Sequence, residues 1–249
     1  MKKPLLALAL LAVSAQAQAL TAGDIAVIAY NSDGDDNFAW VALTDIAANT
    51  VINFTDSSWQ GSAFRPTEHL DAGGPLTWSH GSTLSAGTVV SYSGATDNTW
   101  STGIAGGTGL SLSTSGDQIF AFQGSNASPA FIYGLQFAHA TGIIDAPTVS
   151  NSTNTTNVPG DLSVAAGTML NVGNFDDGYY AGITVGTQAD LLAAVANTSN
   201  WVRGNDAFLT SDWATGFTVT AVPEAETYAM MLAGLGLVGF AAARRKSVK

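Results

Sequence analysis

An all-β body is the fold this sequence predicts: an immunoglobulin-like or related β-sandwich with one short helix, plus an N-terminal signal helix and a C-terminal transmembrane helix. Three observations lead there. Short runs rich in Val, Ile, Phe and Tyr recur, each bounded by Gly, Asn, Asp or Ser. Gly is abundant, at 27 of 249 residues, while charged residues reach only 11%, well under the usual quarter or so. Helical periodicity is confined to one internal stretch.

Taken in order, "GDIAVIAY" (Gly23 to Tyr30) is an apolar, β-branched run between two turn signals, and "NFAWVALTDI" follows it. "NSDGDDN" (Asn31 to Asn37) reads as the turn between them. Further strands are expected in "TVINFTD" (Thr50 to Asp56), "GTVVSYSG" (Gly87 to Gly94) and "GDQIFAFQG" (Gly116 to Gly124). "FIYGLQFA" alternates, which places Phe131, Tyr133, Leu135 and Phe137 on one face. "NSTNTTNVPG" (151–160) is polar and low in complexity, so it reads as a long loop or a boundary between two β halves. "TQADLLAAVANTSNW" is the helix: Thr187 caps it, Asp190 lies in its first turn, Leu191, Leu192 and Val195 form its apolar stripe, and Trp201 packs after it.

Charge excludes one class of partner. Seventeen of the 19 acids lie between residues 20 and 221, against two bases, Arg65 and Arg203. Such a body repels phosphate backbones, so nucleic acid is not expected. Metal cations and neutral polymers fit better. The chain has no Cys, which removes disulfides, thiolate metal sites and Cys nucleophiles together.

Three stretches carry candidate chemistry. Asn31, Asp33, Asp35 and Asp36 offer hard oxygen ligands at close spacing, which suits calcium. They do not make an EF-hand loop, because Asp36 stands where that loop needs Gly and Ala42 where it needs Glu. In "NFDDGYY", Asp176 and Asp177 stand beside Tyr179 and Tyr180, the residue types that hydrogen-bond and stack on carbohydrate. In "RPTEHLD", Arg65, Glu68, His69 and Asp71 gather an acid, a base and a cation, a set from which a hydrolytic site can be built. The sequence holds no G-x-S-x-G, H-E-x-x-H or P-loop pattern. No catalytic set is therefore assigned, and the body is expected to be non-enzymatic.

The two ends are not expected to join the fold. Lys2 and Lys3, an apolar stretch from Leu5 to Val13, and small residues at Ala15, Ala17 and Ala19 make a secretory signal peptide over residues 1–19. Signal peptidase is expected to cut after Ala19, with Ala17 as the alternative. At the other end, an uninterrupted apolar run of 16 residues (Tyr228 to Ala243) precedes Arg244, Arg245 and Lys246. A span needs about 20 residues, and snorkelling Arg side chains supply the remainder. The basic cluster after the run belongs on the cytoplasmic side, and the signal peptide puts the body on the other.

Val222-Pro223-Glu224, the Gly-bearing hydrophobic run and the terminal Arg-Arg-Lys together resemble the PEP-CTERM sorting signal. Its usual first Pro is Val222 here. The resemblance implies processing by an exosortase near Pro223-Glu224, a Gram-negative host and a setting of exopolysaccharide or biofilm. Residues 222–249 are then the sorting signal and 20–221 the exported body, anchored transiently before reaching the surface or the extracellular space. Within the body, Leu84-Ser85-Ala86-Gly87-Thr88-Val89-Val90 and the stretch from Leu112 to Phe122 are similar to segments of lamin-tail-type immunoglobulin-like domains, which implies binding rather than catalysis. The expectation is a non-enzymatic surface or matrix protein, adhesive or exopolysaccharide-associated. The alternative is a secreted hydrolase of polysaccharide or phosphoester.

Overall fold

Both faces of the first two strands are covered, which is why they read as continuous apolar runs and not as alternating ones. The computed structural model describes residues 18–66, 68, 74–94 and 98–221. In it β1 (Ile25–Asn31) and β2 (Asn37–Ala42) form a hairpin around the acidic turn, Asn31 opposite Asn37. Along the chain follow β3 (Val51–Thr55), β4 (Leu76–Ser79), β5 (Val89–Ser93), β6 (Thr99–Trp100) and β7 (Ile104–Gly106). The long hairpin of β8 (Asp117–Ser125) and β9 (Ser128–Phe137) is next, then β10 (Ile143–Ile144), β11 (Thr156–Asn157), β12 (Met169–Asn171), β13 (Asp177–Tyr180) and β14 (Val185–Gly186). Helix α1 (Gln188–Ala196), β15 (Trp201–Gly204) and β16 (Thr218–Val219) complete it.

These strands make two six-stranded sheets. One has the order β15-β13-β1-β2-β5-β6, the other β12-β9-β8-β3-β4-β7. Aromatic rings join them face to face. Trp40 of β2 meets Trp78 of β4 edge-on at 5.0 Å, Phe38 lies 5.3 Å from Phe54 of β3, and Tyr30 stacks on Phe137 of β9 at 4.5 Å. All six rings are buried. The body is thus an all-β, sandwich-like arrangement with one α-helix, as the sequence predicts.

A second, smaller core lies on the outer face of the β8–β9 sheet. It gathers Trp59, Phe64, Phe120, Phe122, Phe131, Leu162 and Met169. Here the alternation of "FIYGLQFA" fails at one position. Tyr133, Leu135 and Phe137 face the inter-sheet core as expected, while Phe131 faces outward. The reason is a register shift: Ala121 pairs with Tyr133 but Phe122 with Phe131, so Ile132 is an extra residue in β9. One inserted residue moves every residue beyond it to the opposite face.

The helix forms as the sequence predicts. Thr187 and Asp190 make a reciprocal capping box, Leu191 and Val195 are buried, and Trp201 donates its indole N–H to the Val195 carbonyl at 2.8 Å. The 151–160 stretch is bound into the body. The Asn157 amide accepts from the Ser150 N–H and donates to the carbonyls of Ile144 and Thr148, and Thr156 Oγ1 accepts from the Trp59 N–H.

The chain divides into two units, Met1–Val219 and Thr220–Lys249. Among the described residues no helix is long and apolar enough to cross a membrane. The predicted signal helix, apart from residues 18 and 19, and the predicted transmembrane helix, with Val222, Pro223, Glu224, Arg244, Arg245 and Lys246, lie outside the described residues.

Candidate functional site

Two stretches that the sequence presents as separate sites meet at one end of the first sheet. The β1–β2 turn brings Asp33 to the start of β13, where Asp176 and Asp177 lie, and one carboxylate oxygen from each falls within 4.8 Å of the others. Pairing sets this up, since β1 and β13 run antiparallel with Asn31 opposite Asp177. Ser32 stitches the turn down: its N–H and hydroxyl both donate to the Asp176 carbonyl, and its N–H also reaches Asp177 Oδ1 at 3.0 Å.

The three acids differ in setting. Asp177 is fully buried and Asp176 is half-buried. Burial raises the Asp177 carboxyl to about 6, against the backbone N–H of Asp33, which lowers it; Asp176 and Asp33 raise it further. Asp176 is raised chiefly by partial burial, with Asp33 and Asp206 adding to it. Neither base of the body offsets these charges. Arg203 pairs with Gly178 in the ladder, one residue past Asp177 and so on the other face. Its guanidinium donates to the Val172 carbonyl at 2.7 Å and lies 5.0 Å over the Phe175 ring. Arg65 pairs with Glu68 at 3.7 Å.

The geometry revises both predicted sets. Of the acids Asp33, Asp35 and Asp36 in the turn, Asp33 falls in the three-carboxylate group. The Asn31 amide donates to the Phe208 carbonyl and accepts from its N–H, so it holds the loop after β15. Asp35 is exposed and outside the three-carboxylate group, and Asp36 adopts a positive φ of 51° next to the strand. In the carbohydrate set, Tyr180 cannot offer a ring to a sugar. It is 2% exposed, packs on Trp201 and Phe217, and donates its hydroxyl to the Ile183 carbonyl at 2.7 Å. Alternation in β13 forces this, because Asp177 and Tyr179 share one face and Tyr180 takes the other. Tyr179 keeps partial exposure, edge-on to Phe208 at 5.2 Å.

A second polar cluster was not foreseen. A pocket of about 280 Å³ is lined by Asp56, Glu68, Ser111, Ser113, Asp117 and Thr153. Burial raises Asp117 well above the ordinary carboxyl range, and Asp56 adds to it; burial also raises Glu68, although the Ser58 N–H donates to it. Asp56 follows directly on β3 and Asp117 opens β8, so the pairing of Thr55 with Phe120 brings the two acids together. No local pattern signals this, because they stand 61 positions apart. His69 and Asp71 lie outside the described residues. Glu68 lines this pocket, while Asp176 and Asp177 belong to the other cluster, so among the described residues Glu68 does not converge with that pair. Of the predicted cleavage positions, Ala19 is exposed and Ala17 lies outside the described residues.

No curated protein and no solved structure matches the chain. A match exists at its C-terminal end, over residues 221–246, where the order of Pro-Glu, hydrophobic run and basic cluster had pointed: the chain carries a PEP-CTERM protein-sorting motif.

Proposed function

We propose that this is an exported protein of a Gram-negative cell, cut by an exosortase at its C-terminal motif and delivered to the cell surface or extracellular matrix, where its body binds and does not catalyse. Exopolysaccharide and neighbouring cells are the partners this reading assigns. The observation that carries it is the sorting motif over residues 221–246, placed behind an acidic, Cys-free β body. The motif supports export and transient anchoring. The acidic β body with its connecting loops is the part this reading assigns to binding.

The test has two parts. In a host with an exosortase, Glu224→Ala should leave a full-length, membrane-held product where the natural chain is shortened and released. An unchanged mature C-terminus in the variant rejects the sorting assignment. Released protein should also sediment with purified host exopolysaccharide and not with an unrelated neutral glycan; equal sedimentation with both rejects the partner.

One observation favours a second reading, a secreted hydrolase of polysaccharide or phosphoester. Burial raises the carboxyls of Glu68 and Asp117 in a pocket with a third acid, and a raised carboxyl is what general-acid catalysis requires. Turnover of a polysaccharide or phosphoester by the natural chain, lost in Glu68→Gln, would establish it. Its absence over a substrate panel leaves the binding role.

A further inference from the structure

We propose that Asp33, Asp176 and Asp177 form a calcium site that pins the β1–β2 turn to the start of β13. The site differs from the acidic turn that the sequence presents, since two of its three ligands come from a segment some 140 residues away.

A cluster of acids on a surface is common and means little. The weight here rests on Asp177. Its side chain is fully buried, and its two oxygens are treated differently. Oδ1 accepts from the backbone N–H groups of Ser32 and Asp33, at 3.0 and 3.5 Å, which fixes the plane of the carboxylate. Oδ2 has no hydrogen-bond partner. A buried acceptor left unmade is costly, and native structures seldom keep one without a reason. This buried carboxylate belongs to the group, since one carboxylate oxygen of each of the three acids lies within 4.8 Å of the others.

Two ligands on opposite sides of a calcium ion stand about 4.8 Å apart, twice a bond of about 2.3–2.6 Å, so three carboxylates at this spacing fit one coordination sphere. Asp176 is placed by its neighbours: the Asn205 amide, turned to satisfy its hydrogen bonds, donates to Asp176 Oδ1 at 3.2 Å. Asp33 and Asp176 keep access to solvent, from which water completes the remaining positions. Hard oxygen ligands and the lack of any Cys or His in the group exclude the softer metals. A proton shared between Asp176 and Asp177 is the competing way to relieve the same crowding. At neutral pH a divalent cation relieves all three charges, and neither arginine of the described residues does so: Arg65 is paired with Glu68 and Arg203 faces away.

The experiment uses the full-length chain after metal removal, titrated at neutral pH with calcium alone by calorimetry. Parallel titrations use magnesium, and sodium chloride at equal ionic strength. A partly open site with three carboxylates should saturate with one ion per chain and a dissociation constant on the order of 10⁻⁴–10⁻³ M, the range of extracellular calcium modules. Asp33→Asn, a change in the solvent-reached turn, should weaken binding by about tenfold or more. Asp177→Asn should abolish it, and its melting without calcium shows whether the variant folds. Asp35→Asn, in the same turn but outside the group, should bind as the natural chain does. The proposal is overturned by the absence of saturation below about 10 mM, by sodium chloride raising the melting temperature as much as calcium, or by Asp35→Asn weakening binding as much as Asp33→Asn.

Discussion

The outward turn of Phe131 can be measured by double-mutant cycles. Phe131 is 4% exposed, and its ring lies 5.0 Å from Trp59, 5.4 Å from Phe64 and 5.3 Å from Phe120. Truncating a buried Phe to Ala costs about 3–5 kcal/mol. Phe64 sits at 6% exposure on the loop that covers the outer core, where the walls collapse more easily, so Phe64→Ala and Phe131→Ala each belong near the lower figure. Direct aromatic pairs contribute about 0.5–1.5 kcal/mol beyond burial, and the Phe64–Phe131 cycle should return a coupling of about that size. Phe54 is the control. It is fully buried in the inter-sheet core among Phe38, Trp40 and Trp100, and it touches none of the outer rings. Phe54→Ala and Phe131→Ala should therefore add to within about 0.5 kcal/mol. Urea unfolding of the body, followed by circular dichroism, supplies the values. If Phe131 couples to Phe54 and not to Phe64, β9 has no bulge at Ile132 and the reasoning is wrong.

Three further outcomes are expected. The mature chain should begin at Gln18, by the alternative cut after Ala17 in place of the one after Ala19 that the sequence favours, because Gln18 is tied to the body by the Ala47 N–H on its Oε1, by Gln123 Nε2 on its carbonyl and by its own N–H to Thr50; a body starting there should melt about 2–4 °C above one starting at Leu20, near 1 kcal/mol net of ordering, and mass spectrometry finding Leu20 would refute it. In chelator, stability should fall as pH rises from about 4 to about 7: the folded body holds raised carboxyls at Asp177, Glu68 and Asp117, so it binds protons more tightly than the unfolded chain and loses that advantage as they ionise, Asp177 against its own burial and then against Asp176 and Asp33; a rise over this window contradicts it. Thr187→Ala should cost about 1 kcal/mol by removing the capping box of α1, measured by chemical denaturation, and a change under 0.3 kcal/mol would show that the cap is idle.

How much of this was legible depends on the range over which each feature is decided. Strands β1, β2, β3, β5 and β8, the acidic turn and α1 are set by composition, turn residues and capping within about a dozen positions, and the sequence displays each of them. The short strands β12, β13 and β15 carry too little pattern of their own. They exist because they complete sheet edges beside β9 and β1, which a local reading cannot see. Phe131 shows the same limit in one residue: the alternation around it is regular, and only the register against β8 moves it to the other face. The candidate sites follow this rule. The acidic turn and the Asp176–Asp177 pair were each visible as residue types, but their meeting is a property of the β1–β13 ladder. That ladder also separates Asn31 and Tyr180 from the acids, since Asn31 bonds the Phe208 backbone and Tyr180 enters the core, while Asp33 comes beside Asp176 and Asp177. The sorting motif was readable for the opposite reason. A segment recognised by a processing enzyme carries its information in linear order, so Pro223-Glu224, the run after it and the basic end can be read without any fold.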